Sequence, residues 1–309
     1  MNNKIFLDYK KKLCFTVYEL TLKKMRNLNK SRFITSVLLI CSITFIVFKN
    51  LSASSNFFST TQLLISQYLG WFIILTANSF LFFSIYLVFT RYKNIKLGGL
   101  NAEPAFSYSN WIAMLFSAGL GIGLLFYGVA EPIGNLNDYP EMVDDNLSYN
   151  ASKALSLTNL HWGLHGWAVY AALGLCFAFS SYNKKKAFRV SSLLGERIEN
   201  NKPIAALIDI VAILTTVIGI ATSLGLGASQ INGGLDYVFD IQINEFVIIV
   251  LITLLGLLSV SLGLDAGIKR LSQLNMVIAV SLLILIFLLG PSIFILNALV
   301  QNAGVYLSQ

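Results

Sequence analysis

Apolar positions in this chain neither alternate at the period of a strand nor form the one-sided stripe of a soluble helix. They run on, rich in Leu and Ile, through stretches such as SFLFFSIYLVF (79–89) and LLILIFLLG (282–290). Only helices or closed barrels satisfy their backbone inside a bilayer. A barrel strand shows a two-residue repeat that is absent here. The pattern therefore predicts an all-α polytopic membrane protein. Seven spans are predicted, at about 33–48, 62–90, 109–130, 155–181, 204–231, 245–264 and 271–294. Several exceed the roughly 20 residues that a bilayer requires, so tilt or local unwinding is expected.

Composition agrees. The 309 residues are 56% hydrophobic and only 12% charged, where soluble domains carry about 25% charge. The charges that remain are placed asymmetrically. With the N-terminus inside and the spans alternating, the inner segments 1–32, 91–108, 182–203 and 265–270 hold 9, 3, 6 and 2 Lys/Arg. The outer segments hold Lys49 and Lys153 alone. This positive-inside bias predicts a cytoplasmic N-terminus in the inner (cytoplasmic) membrane and, with seven spans, an outer C-terminus. The outer loops are acidic, with Glu131, Asp138, Glu141, Asp144 and Asp145 in one and Asp236 and Asp240 in another.

The net charge of +7 thus reads as topology and contact with anionic lipid, not nucleic acid. Residues 1–32 lack the apolar core of a cleaved signal. They read as a basic cytoplasmic arm, either solvated or lying on the inner leaflet. Residues 33–108 would be two peripheral helices with a cytoplasmic loop. Residues 109–309 would be the core, ending in an outer interfacial segment at about 297–308. Cys14, Cys41 and Cys176 are odd in number and scattered. Cys41 and Cys176 read as small core residues.

Three stretches carry candidate chemistry. SAGLGIGLLFYGVAEP (117–132) places Gly119, Gly121 and Gly123 inside an apolar helix, where each Gly costs about 1 kcal/mol against Ala. Two readings are open: an unwound segment that offers backbone groups near the midplane, or close helix packing through small residues. HWGLHGWAVY (161–170) holds both histidines. His161 and His165 are spaced to share one helix face, as a metal pair would be. Membrane di-iron sites require about six to eight histidines, and no His-Glu-x-x-His pattern is present. Buried, hydrogen-bonded structural histidines are the better reading, and no metal or other cofactor is expected. On a continuous helix Trp162, Tyr170 and Trp167 fall at about 0°, 80° and 140°. That gathers three rings on one broad face, as an interfacial belt or as a cage for a quaternary ammonium ion. DIVAILTTVIGIATSLGLGASQINGG (209–234) offers Thr215, Thr216, Thr222 and Ser223. Their hydroxyls either bond their own helix or face a hard cation. Gly225 and Gly227 would allow close packing, and Asp209 reads as an N-terminal helix cap.

AMLFSAGLGIGLLFYGVAEP (113–132), HWGLHGWAVY (161–170) and IGIATSLGLGASQINGGL (218–235), in this order and spacing, resemble the betaine/carnitine/choline transporter family. SVSLGLDAGIKRLSQLNMVIA (259–279) and GPSIFILN (290–297) resemble its next segments, so the likeness covers about residues 60 to 309. The resemblance implies a LeuT-like, inverted-repeat secondary transporter: two extra helices, then the first five-helix repeat. It implies symport of quaternary-ammonium compounds such as glycine betaine, choline or carnitine, often for osmoprotection, by trimers in several members. It assigns Trp162, Trp167 and Tyr170 to the aromatic cage and Gly119, Gly121 and Gly123 to an unwound segment beside it. Of two ion-binding threonines, Thr216 matches the first and Ile220 replaces the second, which leaves proton coupling open beside sodium. Backbone oxygens near Ser117 and Leu120 would serve a second sodium site. Gly166 stands where proline is usual. Family members have about twelve spans, so the second repeat is expected to be missing here. The partners implied are that missing half or an intact homologue. The alternative is a non-transporting remnant or a regulatory subunit.

Overall fold

A computed structural model describes residues 30–138 and 147–308. Most of the basic arm, and Glu141, Asp144 and Asp145 of the acidic loop, lie outside the described residues. All regular elements among the described residues are helices. In chain order they form α1 (Lys30–Lys49), α2 (Leu51–Phe89), a 3-10 turn (Arg91–Asn94), α3 (Tyr108–Gly119), a π-helical segment (Leu120–Tyr127) and α4 (Gly128–Asp138). Then come α5 (Leu147–Trp162), α6 (Leu164–Ala178), a second π segment (Phe179–Asn183), and the short α7 (Val190–Leu193) and α8 (Glu196–Asn200). After α9 (Lys202–Phe239) and α10 (Glu245–Ser261), a third π segment (Leu264–Ile268) leads into α11 (Lys269–Leu289) and α12 (Ser292–Ser308).

Six stretches are long and apolar enough to cross a bilayer: Arg32–Lys49, Leu51–Phe89, Tyr108–Asn137, Tyr149–Asn183, Lys202–Phe239 and Leu264–Leu289. The protein is therefore a multi-pass membrane protein. The sixth expected span, at 245–264, is the 17-residue α10. At 1.5 Å per residue it reaches about 25 Å, short of the roughly 30 Å hydrocarbon core. The last expected span also ends early. Gly290 and Pro291 break the helix after Leu289, and residues 292–308 form a helix of their own, α12. Pro291 has no N–H to continue the ladder.

Burial runs opposite to that of a soluble core. The buried apolar residues are Ala113, Ala154, Ala168, Ala172, Ala205, Ala228 and Ala279, joined by Ile248. Beside them Ser36, Ser191, Ser192, Ser156 and Thr158 are buried, while Phe45, Phe82, Leu254 and Leu288 are more than half exposed. Small residues let helix backbones approach, and large apolar ones face lipid at little cost. Cys41 and Cys176 follow the second group. Both are exposed, not core residues as expected, because helices apolar on every side leave most of their surface outward.

The chain divides into two compact units, residues 1–105 with 168–218, and 106–167 with 219–309. In the first, Arg32 of α1 meets Asp209 of α9 at 2.5 Å. The Asp209 carboxylate also accepts from the backbone N–H and the hydroxyl of Ser191, at 3.1 and 3.0 Å. Asp209 thus lies about two turns inside α9 and is no helix cap. Both side chains are largely buried, and leaving one without the other costs about 3–5 kcal/mol. Asn183 closes a loop by accepting from Gly98 N and donating to the Lys96 carbonyl.

In the second unit polar side chains set how helices pair. Asn135 of α4 donates to the Ala154 carbonyl and to Thr158 Oγ1 of α5. Ser152 of α5 donates to Asn302 of α12. Gln273 and Asn275 of α11 donate to Asn110 and Ser117 of α3. Such bonds average about 0.6 kcal/mol each in membranes. Together they fix register more than they supply stability.

Candidate functional site

The glycine-rich stretch is not unwound. Its backbone stays helical but widens, with α3 passing at Gly119 into the π segment Leu120–Tyr127. π segments mark an inserted residue and a looser turn, which accommodates Gly121 and Gly123 without breaking the ladder.

Onto this widened helix the structure brings two of the expected rings. An added Cβ at Gly119 would lie 3.6 Å from the Trp167 ring. One at Gly123 would lie 2.8 Å from Trp162 Cζ3, closer than any side chain tolerates. Gly123 therefore leaves room for an indole. Trp162 also stacks on Tyr127, at 5.3 Å between centroids and 27° between planes, and Trp167 packs against Phe116 at 4.8 Å. Gly119 and Gly123 are one turn, about 6 Å, apart, so the indoles lie along successive turns of one helix. Of the two open readings, small-residue packing is what these two glycines do. The space beside Gly121 is open.

The helix that carries the rings is not continuous. α5 ends at Trp162 and α6 starts at Leu164, so angles counted along one ideal helix do not hold across Gly163. At Gly166 an added Cβ would overlap the His161 carbonyl. This close approach, more than backbone freedom, requires a residue without a side chain.

His161 is hydrogen-bonded but not buried: half of its side chain is exposed, and Nδ1 meets Glu131 Oε1. The other oxygen of Glu131 accepts from the Trp162 indole N–H. His165 meets Tyr306 of α12 through Nδ1 at 2.6 Å, with the rings edge to face. Among the described residues no three His, Cys, Asp or Glu side chains converge as metal ligands would. Glu131 was legible only as an acidic loop residue. Its place in the first turn of α4, facing His161 and Trp162, is something spacing alone did not reveal.

The other candidates are placed as follows. Ser117 accepts from Asn275 Nδ2 at its hydroxyl, 3.1 Å, and at its carbonyl, 3.4 Å. Leu120 opens the π segment. Gly227 has Ile122 near its missing Cβ, at 3.7 Å, and Gly225 has open space. Tyr170 and Thr216 belong to the first unit. Tyr170, on α6, is 51% exposed. Thr215, Thr216 and Ser223 donate to carbonyls of their own helix, Thr216 to Ala212 at 2.7 Å. Thr216 also lines a cavity of about 250 Å³ with Arg32, Arg189, Asp209, Phe177 and Phe188. Two guanidinium groups against one carboxylate make this cavity a poor host for a free sodium ion.

Known proteins share this arrangement of sequence. The model of the betaine/carnitine/choline family transporters (BCCT) matches residues 32–309. A glycine betaine transporter of Bacillus subtilis (strain 168) is 41% identical over 259 residues, covering 82% of this chain and 50% of the relative. A glycine betaine transporter of Acinetobacter baylyi is 35% identical, over 93% of this chain and 44% of the relative. A high-affinity choline transport protein of Escherichia coli (strain K12) is 36% identical, over 88% and 41%. The chain spans about half the length of the curated relatives it matches. With its match running from Arg32 through the glycine helix and both indoles to Gln309, the chain belongs to the betaine/carnitine/choline transporter family.

Proposed function

We propose that this chain serves secondary active transport of quaternary-ammonium compounds of the glycine betaine, choline or carnitine type across the cytoplasmic membrane, driven by a sodium or proton gradient. The observation that carries the reading is the pair Trp162 and Trp167, laid on the glycines of one widened helix. A quaternary ammonium group cannot donate hydrogen bonds. In a membrane it meets a large desolvation cost, and ring faces offset that cost without adding a counter-charge. The names of the relatives support the same substrate class. A cytoplasmic N-terminus is part of this proposal, supported by the distribution of Lys and Arg, as is an architecture of two peripheral helices followed by a five-helix repeat, for which the family match is the support.

The test is binding and uptake of labelled glycine betaine and choline. It uses vesicles carrying the chain alone or together with an intact relative, with sodium and proton gradients imposed separately. Trp162→Ala and Trp167→Ala are each expected to lower binding at least tenfold, since a desolvated cation–π contact is worth about 2 kcal/mol. Trp71→Ala, on exposed α2, is expected to change nothing. Equal binding by all three variants, or none by the unaltered chain in either setting, overturns the proposal.

A further inference from the structure

Glu131, like Asn135, is a polar residue through which α4 reaches α5. It stands in the first turn of α4, and its side chain is 15% exposed. One carboxylate oxygen meets His161 Nδ1 and the other accepts from the Trp162 indole N–H. The indole is therefore held on three sides: Glu131 at its N–H edge, Tyr127 stacked on it, and its six-membered ring in the space that a side chain at Gly123 would fill. About two-fifths of the Trp162 surface stays exposed, so this fixing leaves the residue accessible. Hydrogen bonds to an ionised acceptor are shorter and roughly twice as strong as neutral ones. A negative charge at the N–H edge also polarises the ring and makes its face more attractive to a cation.

We propose that Glu131 is the positioning residue of the quaternary-ammonium site, fixing the orientation of Trp162 and enriching its face through the indole hydrogen bond. The inference rests on the transport reading for its ligand, but the contact itself can be measured without one. Glu131→Gln keeps the shape and one oxygen acceptor and loses the charge. Glu131→Ala loses both. Orientation and polarisation are thereby separated.

The first measurement uses the purified chain labelled with 15N at its four indoles. Trp162→Phe identifies the Trp162 N–H resonance by its loss. Glu131→Ala is expected to move that resonance, and Glu131→Gln to move it less, with the other three indole signals unchanged as proof of folding. A Trp162 signal indifferent to Glu131→Ala overturns the proposal.

The second measurement titrates the same proteins with glycine betaine and with choline. Glu131→Ala is expected to weaken binding about tenfold, the scale of one lost charge-assisted hydrogen bond. Glu131→Gln is expected to fall between it and the unaltered chain. In a Trp162→Phe background, Glu131→Ala should have no further effect, since the coupling runs through the indole. An equal loss in both backgrounds overturns the positioning role. If the unaltered chain binds neither compound, alone or together with an intact relative, the transport reading fails while the indole measurement still decides the contact.

Discussion

Gly121 and Gly123 are two residues apart, and the same substitution should act on them with opposite sign. Gly121 has open space where a Cβ would go, while Gly123 has the Trp162 ring at 2.8 Å. Gly121→Ala should therefore stabilise the helix by up to about 1 kcal/mol, the difference in helix propensity. Gly123→Ala should instead push the indole off its place and lower the unfolding temperature. Thermal unfolding of the two variants, followed by tryptophan fluorescence, checks both signs. A second residue-scale test concerns Glu199. The Lys186 ammonium, 2.9 Å away, and then the Ser192 hydroxyl hold its carboxyl below the usual glutamate range, against the opposing effect of burial. A depressed value in the folded state means that the pair's contribution is complete above about pH 4.3, the unperturbed range. It is lost as pH falls through the depressed value. Glu199→Gln should therefore flatten the acid limb of a stability-against-pH curve and, above about pH 6, lower stability by an amount that does not change with pH.

The helix break at Gly163 decides how the two indoles are presented. Residue spacing made the aromatic cluster visible, and the ring-bearing residues Trp162 and Trp167 do meet the glycine helix. A continuous helix was nevertheless the wrong frame, because the pinch between His161 and Gly166 depends on the carbonyl of one turn entering the space of a missing side chain. No periodicity encodes that. The widening over Leu120–Tyr127 was equally hidden: glycine content signals weak helix, but whether the backbone unwinds or only loosens depends on the neighbours that fill the gap. Asp209 was misread for a related reason. An acidic residue ahead of an apolar run looks like a cap, but the helix already begins at Lys202, and the carboxylate instead meets a partner 177 residues away on α1. At this scale Gly166→Ala is the informative change. It should separate α5 from α6 by forcing the His161 carbonyl aside and costing about 1–3 kcal/mol, the usual price of overpacking. Thermal unfolding gives the cost, and the Trp162 indole resonance reports whether the displacement reaches Glu131.

At the level of the whole molecule the spans were legible from composition, because lipid contact places no demand on large apolar residues beyond being apolar. What composition did not show is where they stop: α10 is short, and Gly290 with Pro291 divides the last span from α12. The interior obeys the stricter rule. Ala228 is fully buried and Leu254 is 56% exposed. Ala228→Leu should cost about 1–3 kcal/mol by forcing helices apart, whereas Leu254→Ala should fall within about 0.5 kcal/mol. Unfolding in detergent–lipid mixtures would rank the two. The consequence reaches into sequence history. Where a soluble protein keeps its large side chains and lets small surface ones drift, descendants of this chain are free to exchange leucine for valine or phenylalanine across most of their length. Their lineage would then be traced most faithfully by alanines, serines and glycines.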